Sequence, residues 1–240
     1  MNIGLIGYGK MGKEIEAIAL ERGHTITKKF DIVTGEPLTI EALKQCQVAI
    51  EFTSPETATE NIKTCFDAGV PVVCGSTGWN HKEKEMIELC QKQNQTLFFS
   101  SNFSLGVNLF FEFNKHIAKL MNKYPDYNLN ITEIHHTQKK DAPSGTAITL
   151  AEKILENYTL KKEWTMNTPP QDTQLHITAI REGEVPGTHI VEYSGQADKI
   201  IFTHEAKNRK GFALGAVLAA EFIFNKKGVF GMKDLLHLNY

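Results

Sequence analysis

The sequence predicts an α/β protein in two domains, and three observations carry that prediction. A short apolar strand, Ile3-Gly4-Leu5-Ile6, runs straight into Gly7-Tyr8-Gly9-Lys10-Met11-Gly12 and then a helix face of Met11, Ile15, Ile18 and Ala19. Strands alternate with helical patterns from there to Phe99, the order that builds a parallel sheet of the Rossmann type. Beyond that point one long helix, a strand, a helix and three glycine-punctuated strands predict an α+β domain with a mixed sheet.

Composition narrows the classes. At 240 residues and 41% hydrophobic content, the chain can bury a substantial core in one or two domains. Its 26 basic and 28 acidic side chains give a net charge of −2 and no like-charge block, which excludes a nucleic-acid partner. Met1 to Gly7 lack a basic region followed by a long apolar stretch. No segment reaches the roughly 18 apolar residues of a membrane span, so a cytoplasmic protein without membrane partners is expected. Cys46, Cys65, Cys74 and Cys90 are too widely spaced for paired metal ligands and read as reduced packing residues; no metal site is expected.

The first turn carries chemistry. Glycine permits the tight bend, the close approach of backbone to a pyrophosphate and the packing of helix on strand, while the helix start stabilises phosphate charge. Gly7, Tyr8, Gly9, Lys10, Met11 and Gly12 are therefore the candidate dinucleotide site. The next strand spans 24–30. Asp31 lies 19 positions beyond Gly12, where an acidic residue accepts from an adenosine ribose, and this favours NADH. Lys28 and Lys29 at the same strand end suit the 2′-phosphate of NADPH, so both cofactors are admitted.

A short helix over 39–44, a strand over 48–53, a helix over 56–67 and a strand over 70–74 follow. Gly75-Ser76-Thr77-Gly78 then stands at a strand's carboxyl end, where open α/β sheets place ligands, and its small residues admit a flat ring. The same stretch also reads as a simple turn and cap before a helix near Asn80. Strand 96–99 ends in Ser100-Ser101-Asn102-Phe103-Ser104.

The second domain opens with a buried helix over 107–121. Leu129, Ile131 and Ile134 with Thr132 read as a strand ending at His135 and His136, with Lys139 on the following loop. Pro143 disfavours helix at Ala142 and sits at or before a helix start, which puts Ser144, Gly145 and Thr146 in the first turn. Ala147, Ile148, Ala151, Ile154, Leu155 and Tyr158 then repeat as one buried face. First-turn amides at Gly145 and Thr146 carry the positive end of the helix dipole and suit a carboxylate or phosphate. Two imidazoles and two lysines beside such a helix start point to an anionic ligand. Residues 164–172, with Pro169-Pro170, read as a loop. Strands over 175–181, 189–194 and 199–205, a hydrophobic helix over 212–222 and a short closing segment over 228–236 complete the chain.

The run from Glu133 to Ala147, E-x-H-H-x-x-K-x-D-A-P-S-G-T-A, resembles the signature of the 4-hydroxy-tetrahydrodipicolinate (dihydrodipicolinate) reductases of bacterial lysine and diaminopimelate synthesis. Glu51-Phe52-Thr53 corresponds to a family motif usually written D-F-T, with Glu for Asp, and Gly75–Gly78 to one commonly written G-T-T-G. The R-x-G-x-x-x-G-x-H arrangement of Arg181, Gly183, Gly187 and His189 is similar too. The resemblance spans essentially the whole chain. It implies NAD(P)H-dependent reduction of a small cyclic dicarboxylate, 4-hydroxy-2,3,4,5-tetrahydrodipicolinate, with loss of water. It also implies a cofactor domain over 1–104 and 209–240, and a substrate-binding domain over 105–208 through which the family forms homotetramers.

Gly75, Ser76 and Thr77 are implied to meet the nicotinamide half. Ser100, Ser101, Asn102 and Phe103 are implied to form the hinge and add cofactor contacts. Hydride addition to a conjugated imine leaves an enamine-like carbanion equivalent that needs a proton. His135 suits that role because an imidazole can carry a proton at working pH, and the resemblance agrees, adding Lys139 as second donor and carboxylate ligand. His136, Gly145 and Thr146 complete the expected carboxylate site.

Two other classes compete. A dinucleotide-sensing regulator would bind a carboxylate effector without turnover, which requires neither paired imidazoles nor a lysine beside the anion site. A hydrolase would use Ser144 or Ser100 with His135, but Ser144 is not in a G-x-S-x-G elbow and nothing marks an orienting acid.

Overall fold

The computed structural model describes residues 1–32 and 35–238. In chain order its main elements are β1 (Asn2–Ile6), α1 (Lys10–Glu21), β2 (Thr25–Phe30), α2 (Ile40–Leu43), β3 (Val48–Glu51), α3 (Pro55–Ala68), β4 (Val72–Cys74), α4 (Glu83–Lys92) and β5 (Thr96–Phe99). There follow α5 (Leu105–Met121), β6 (Asn128–His135), α6 (Gly145–Leu155), β7 (Glu163–Thr165), β8 (Gln174–Arg181), β9 (Thr188–Ser194), β10 (Lys199–Glu205), α7 (Lys210–Ile223), β11 (Gly228–Phe230) and α8 (Met232–Leu235). The chain divides into two compact units, Met1–Leu105 with Arg209–Tyr240, and Gly106–Asn208. Among the described residues no helix is long and apolar enough to cross a membrane.

In the first unit six strands pair in the order β11-β5-β4-β3-β1-β2, all parallel. Alternate side chains of a strand leave by opposite faces, and here both faces are apolar. Val48, Ile50, Val73 and Phe98 join α1 and α7 in one cluster, while Ala49, Val72, Cys74 and Leu97 join α3 and α4 in another. A sheet covered on both faces needs such near-continuous apolar strands. The chain leaves β1 for β2 on one side and returns to β3 on the other, which creates a crevice at the strands' carboxyl ends. The predicted closing segment supplies β11, an added parallel strand.

In the second unit five strands pair in the order β10-β9-β6-β8-β7, with β6 antiparallel to β9 and parallel to β8. Leu129, Ile131, Leu175, Ile177, Val191 and Tyr193 form a core with α5 and α6. Burying a side chain of this size is worth about 1.5–3 kcal/mol. The opposite face leaves Ile180 38% and Ile201 46% exposed.

Two expectations need correction. The stretch read as a loop over 164–172 begins inside β7, because Trp164 and Thr165 pair with Leu175 and His176 before the prolines end the strand. Helix α6 stops at Leu155, so Tyr158 is not part of its face. Tyr158 is buried all the same, its hydroxyl donating to Tyr127 O at 3.2 Å.

Candidate active site

The central strand β6 sets the geometry of the second unit's site. Its inward side chains are Leu129, Ile131, Glu133 and His135, so the apolar face ends in a carboxylate and an imidazole. The pairing brings His189 opposite Glu133 and Arg181 opposite His135. Glu133 is fully buried. Its Oε1 accepts from Ser144 N at 3.0 Å and Arg181 Nη2 at 2.9 Å. Its Oε2 lies 3.2 Å from His135 Nδ1, an ion-pair distance without the alignment of a hydrogen bond, and 4.0 Å from His189 Nε2. Burial alone would raise the Glu133 carboxyl, but contacts with His135, Ser144 and Arg181 outweigh it and hold the group at about 2. Burial, reinforced by the neighbouring His135, pushes His189 down to about 4.

Backbone bonds fix the turn facing this cluster. Glu182 N donates to His135 O at 2.8 Å, His136 N to Val185 O at 2.8 Å and Thr137 N to Gly183 O at 3.2 Å. They bring Gly187, with φ +153°, against the His135 ring, where an added Cβ would come within 3.0 Å of Nε2. Of the predicted substrate residues, His135 is buried and His136 half-buried at the strand end. Lys139 Nζ pairs with the Asp141 carboxylate. Ser144 caps α6, its Oγ accepting from Ala147 N at 3.1 Å, and Gly145 begins the helix exposed, with open space around it. Thr146 follows within the first turn.

The hydroxyls a hydrolase would need are engaged elsewhere. Ser144 Oγ caps α6 and lies 3.4 Å from His189 Nε2 rather than beside His135. Ser100 Oγ donates to Asn102 O at 2.9 Å. Although the sequence holds no metal motif, one donor atom each from Glu133, His135 and His189 lie within 4.8 Å of one another. A cation there would meet the Arg181 guanidinium already on the same carboxylate.

In the first unit the glycine turn lies in the crevice at the β1, β2 and β3 ends. Ile6, Gly7, Tyr8, Gly9, Asp31, Phe52 and Thr53 help line a cavity of about 430 Å³. Gly7 has φ +91°, and a Cβ there would come 2.2 Å from Phe52 O, so only glycine fits. Gly9 meets nothing within 4 Å, which leaves its backbone open to an approaching phosphate. Lys10 is exposed on the first turn of α1, Met11 packs against the core and Gly12 is buried. Asp31 Oδ2 accepts from Tyr8 N at 3.0 Å and so ties the glycine turn to the end of β2. These features fit a dinucleotide.

A second cavity, of about 270 Å³, brings Ser76 and Thr77 together with Ser100 and Ser101, over Trp79 and Phe99. The Ser76 hydroxyl turns inward, donating to Glu51 Oε1 at 3.1 Å and accepting from Thr53 N at 2.8 Å. Glu51 is fully buried and also accepts from Thr53 Oγ1 and from Cys74 Sγ at 3.0 Å, so this carboxylate organises the ends of β3 and β4. Gly75 lies against the Phe52 ring, and a Cβ there would overlap it at 2.0 Å. Asn102 belongs to a self-bonded turn, its Oδ1 accepting from Ser104 N at 2.9 Å. The Phe103 ring lies in the core beside Phe52 and Phe98.

Sequence reasoning did not assign roles to Glu51, Phe52, Glu133, Arg181 or His189. For Glu133 the signal was the two-residue period through Leu129 and Ile131.

A chain that has a Rossmann-type unit with a glycine turn, and an α+β unit with two imidazoles, a lysine and a helix start close in sequence, defines the class of nicotinamide-dinucleotide oxidoreductases. Comparison with known proteins gives the family. Residues 1–103 match the family model "Dihydrodipicolinate reductase, N-terminus" and residues 106–236 its C-terminus. The chain is 48% identical to the 4-hydroxy-tetrahydrodipicolinate reductase of Christiangramia forsetii over 98% of either chain. It is 37% identical to that of Methanocaldococcus jannaschii, over 98% of this chain and 81% of the relative. A dipicolinate-bound dihydrodipicolinate reductase from Paenisporosarcina sp. TG-14 shares the fold with a TM-score of 0.78 at 22% identity, over 98% of either chain. The chain belongs to the dihydrodipicolinate reductase family.

Proposed function

We propose that this chain reduces 4-hydroxy-2,3,4,5-tetrahydrodipicolinate to 2,3,4,5-tetrahydrodipicolinate with loss of water, using NADH or NADPH. The observation that carries the reading is the strand end at His135 and His136 with Lys139 on the loop that leads to the exposed start of α6, in a chain that also has a cavity at its glycine turn. When bound, the dinucleotide supplies hydride. The rest is the work of side chains and amides. Gly145 and Thr146, with His136 and Lys139, bind the substrate carboxylates through charge-assisted hydrogen bonds. His135 donates the proton that completes the reduction, and Lys139 acts as a second donor.

Gly7, Tyr8, Gly9, Lys10, Met11, Gly12 and Asp31 hold the adenosine and pyrophosphate part. Gly75, Ser76, Thr77 and the segment Ser100–Phe103 hold the nicotinamide part. The exposed face of the five-stranded sheet, with Ile180 and Ile201, supports a homotetramer, and the enzyme works in the cytoplasm.

The test is oxidation of each cofactor with freshly generated substrate, by the parent and by His135→Gln. Turnover by the parent with at least a hundredfold lower kcat in the variant, and NADH binding near normal, is expected. A parent that binds dinucleotide without oxidising it would support the regulator instead. A variant that turns over normally per folded site would remove His135 from the mechanism.

A further inference from the structure

The cluster behind His135 contains a buried carboxylate to which the reaction gives no direct role. Taking an ionised carboxylate out of water costs several kcal/mol, and an apolar core of the same volume is often as stable or more so. The need for Glu133 therefore lies in what it holds. Its two oxygens face different ways: Oε1 takes Ser144 N and Arg181 Nη2, and Oε2 faces His135 Nδ1. Ser144 is the residue from which α6 starts, so a single carboxylate joins the end of β6 to the helix whose first turn carries Gly145 and Thr146. Arg181 extends the tie to the loop, donating also to Asp141 O at 2.6 Å.

The two nitrogens of the His135 ring have different surroundings. Nδ1 is buried toward Glu133, and Nε2 lies against Gly187, where an added Cβ would come within 3.0 Å of it. The His189 ring closes the third side edge-on, with centroids 5.2 Å apart. The charged and titratable groups around the imidazole are Glu133 on its own strand, Arg181 from β8, His189 from β9 with His204 of β10 behind it, and Lys139 and Asp141 on the loop. Of these, Glu133 is the carboxylate at ion-pair distance from the ring.

We propose that Glu133 is a positioning residue: it holds His135 through Nδ1 so that Nε2 delivers the proton, and through Ser144 it fixes the helix start relative to that imidazole. This deepens the reading of His135 as the donor and rests on it. Glu133→Gln keeps an oxygen for Ser144 and Arg181 but removes the negative charge beside Nδ1. Its kcat should fall at least thirtyfold while KM and the affinity for pyridine-2,6-dicarboxylate, measured by calorimetry, stay within threefold. The alkaline fall of its kcat–pH profile should move at least half a unit lower, because a proton opposite a lost carboxylate leaves more easily. A purely structural role would lower thermal stability and leave the profile where it was.

Glu133→Asp, which keeps the charge and shortens its reach, is the second variant and serves if Glu133→Gln does not fold. It should retain dicarboxylate binding with at least tenfold lower kcat. Parent kcat and pH profile in folded Glu133→Gln, or parent kcat in Glu133→Asp, overturns the inference. His135→Gln run alongside separates the two ideas. If it keeps turnover, the donor assignment fails and the inference with it; if it loses turnover while the Glu133 variants match the parent, the inference alone fails.

Discussion

Lys139 Nζ lies 2.9 Å from each carboxylate oxygen of Asp141, so the lysine proposed to bind substrate is already paired with an anion of its own loop. The Lys139 ammonium holds the Asp141 carboxyl below its usual range. Asp141 is exposed, and an exposed pair of this kind is worth about 0.2–1 kcal/mol, which a substrate carboxylate can displace. Lys139→Ala should therefore raise KM at least tenfold and also lower kcat. Asp141→Asn should change KM by less than about fivefold, the limit set by a pair of about 1 kcal/mol. Steady-state kinetics on both variants checks this, and a larger effect in Asp141→Asn would make the pair part of the binding machinery.

The helix start offers a milder test of the anion site. Ser144 already has φ −67° and ψ 152°, the conformation required of a residue before proline, and proline is favoured at the first helical position. A Cβ at Gly145 meets nothing within 4 Å. Gly145→Pro should thus fold with a melting temperature close to the parent's while lacking one amide donor. Calorimetry with pyridine-2,6-dicarboxylate should show at least fivefold weaker binding; unchanged affinity would place the carboxylate elsewhere.

The parallel half of the fold was legible because each strand there is a short apolar run between helical repeats, and the glycine turn reports its backbone directly: Gly7 needs φ +91°. Local pattern also found His135, His136 and the start of α6. What it could not supply was register. Glu133 meets Arg181 and His189 only because β6 pairs with both β8 and β9, strands some fifty residues away whose alignment no local pattern fixes. Ile134, apolar like Leu129 and Ile131 in the same strand, points to the other face, and its polar neighbours Glu133 and His135 point inward. β7 was missed because Pro169-Pro170 dominates a stretch whose pairing residues are only three.

Acid should destabilise this protein over two successive pH ranges. His189 has its folded pKa depressed to about 4 from 6.5, so the unfolded chain binds its proton first. The stability it contributes is present above pH 6.5 and lost as pH falls toward 4, about 3 kcal/mol at most. Glu133, depressed to about 2 from 4.5, adds a loss of similar size at lower pH, between its unfolded and folded values. Melting temperature measured from pH 7 to 4 should fall steeply in the parent and less in His189→Asn. Equal slopes would mean that His189 is not the group taking up the proton.

Cofactor choice turns on two lysines that the structure pairs with acids. Lys28 Nζ lies 2.7 Å from Glu36, and Lys29 Nζ lies 2.7 Å from Glu16 while stacking 4.5 Å over the Tyr8 ring. The Tyr8 hydroxyl also donates to Glu16. Each ammonium is thus partly neutralised before a 2′-phosphate arrives, and Asp31 remains at the end of β2 to disfavour that phosphate. The two effects oppose the lysines' attraction, so NADH and NADPH should bind within about tenfold, or about 1.4 kcal/mol, of one another. Removing the competing acid should shift the balance: Glu16→Gln leaves Lys29 beside the glycine turn with its charge uncompensated. Fluorescence titration should then show NADPH binding at least threefold tighter than in the parent, with NADH changed by less than twofold. A parent preference above a hundredfold would show that either Asp31 or the lysine pair dominates alone, and equal gains for both cofactors in Glu16→Gln would show that Lys29 does not distinguish the 2′-phosphate.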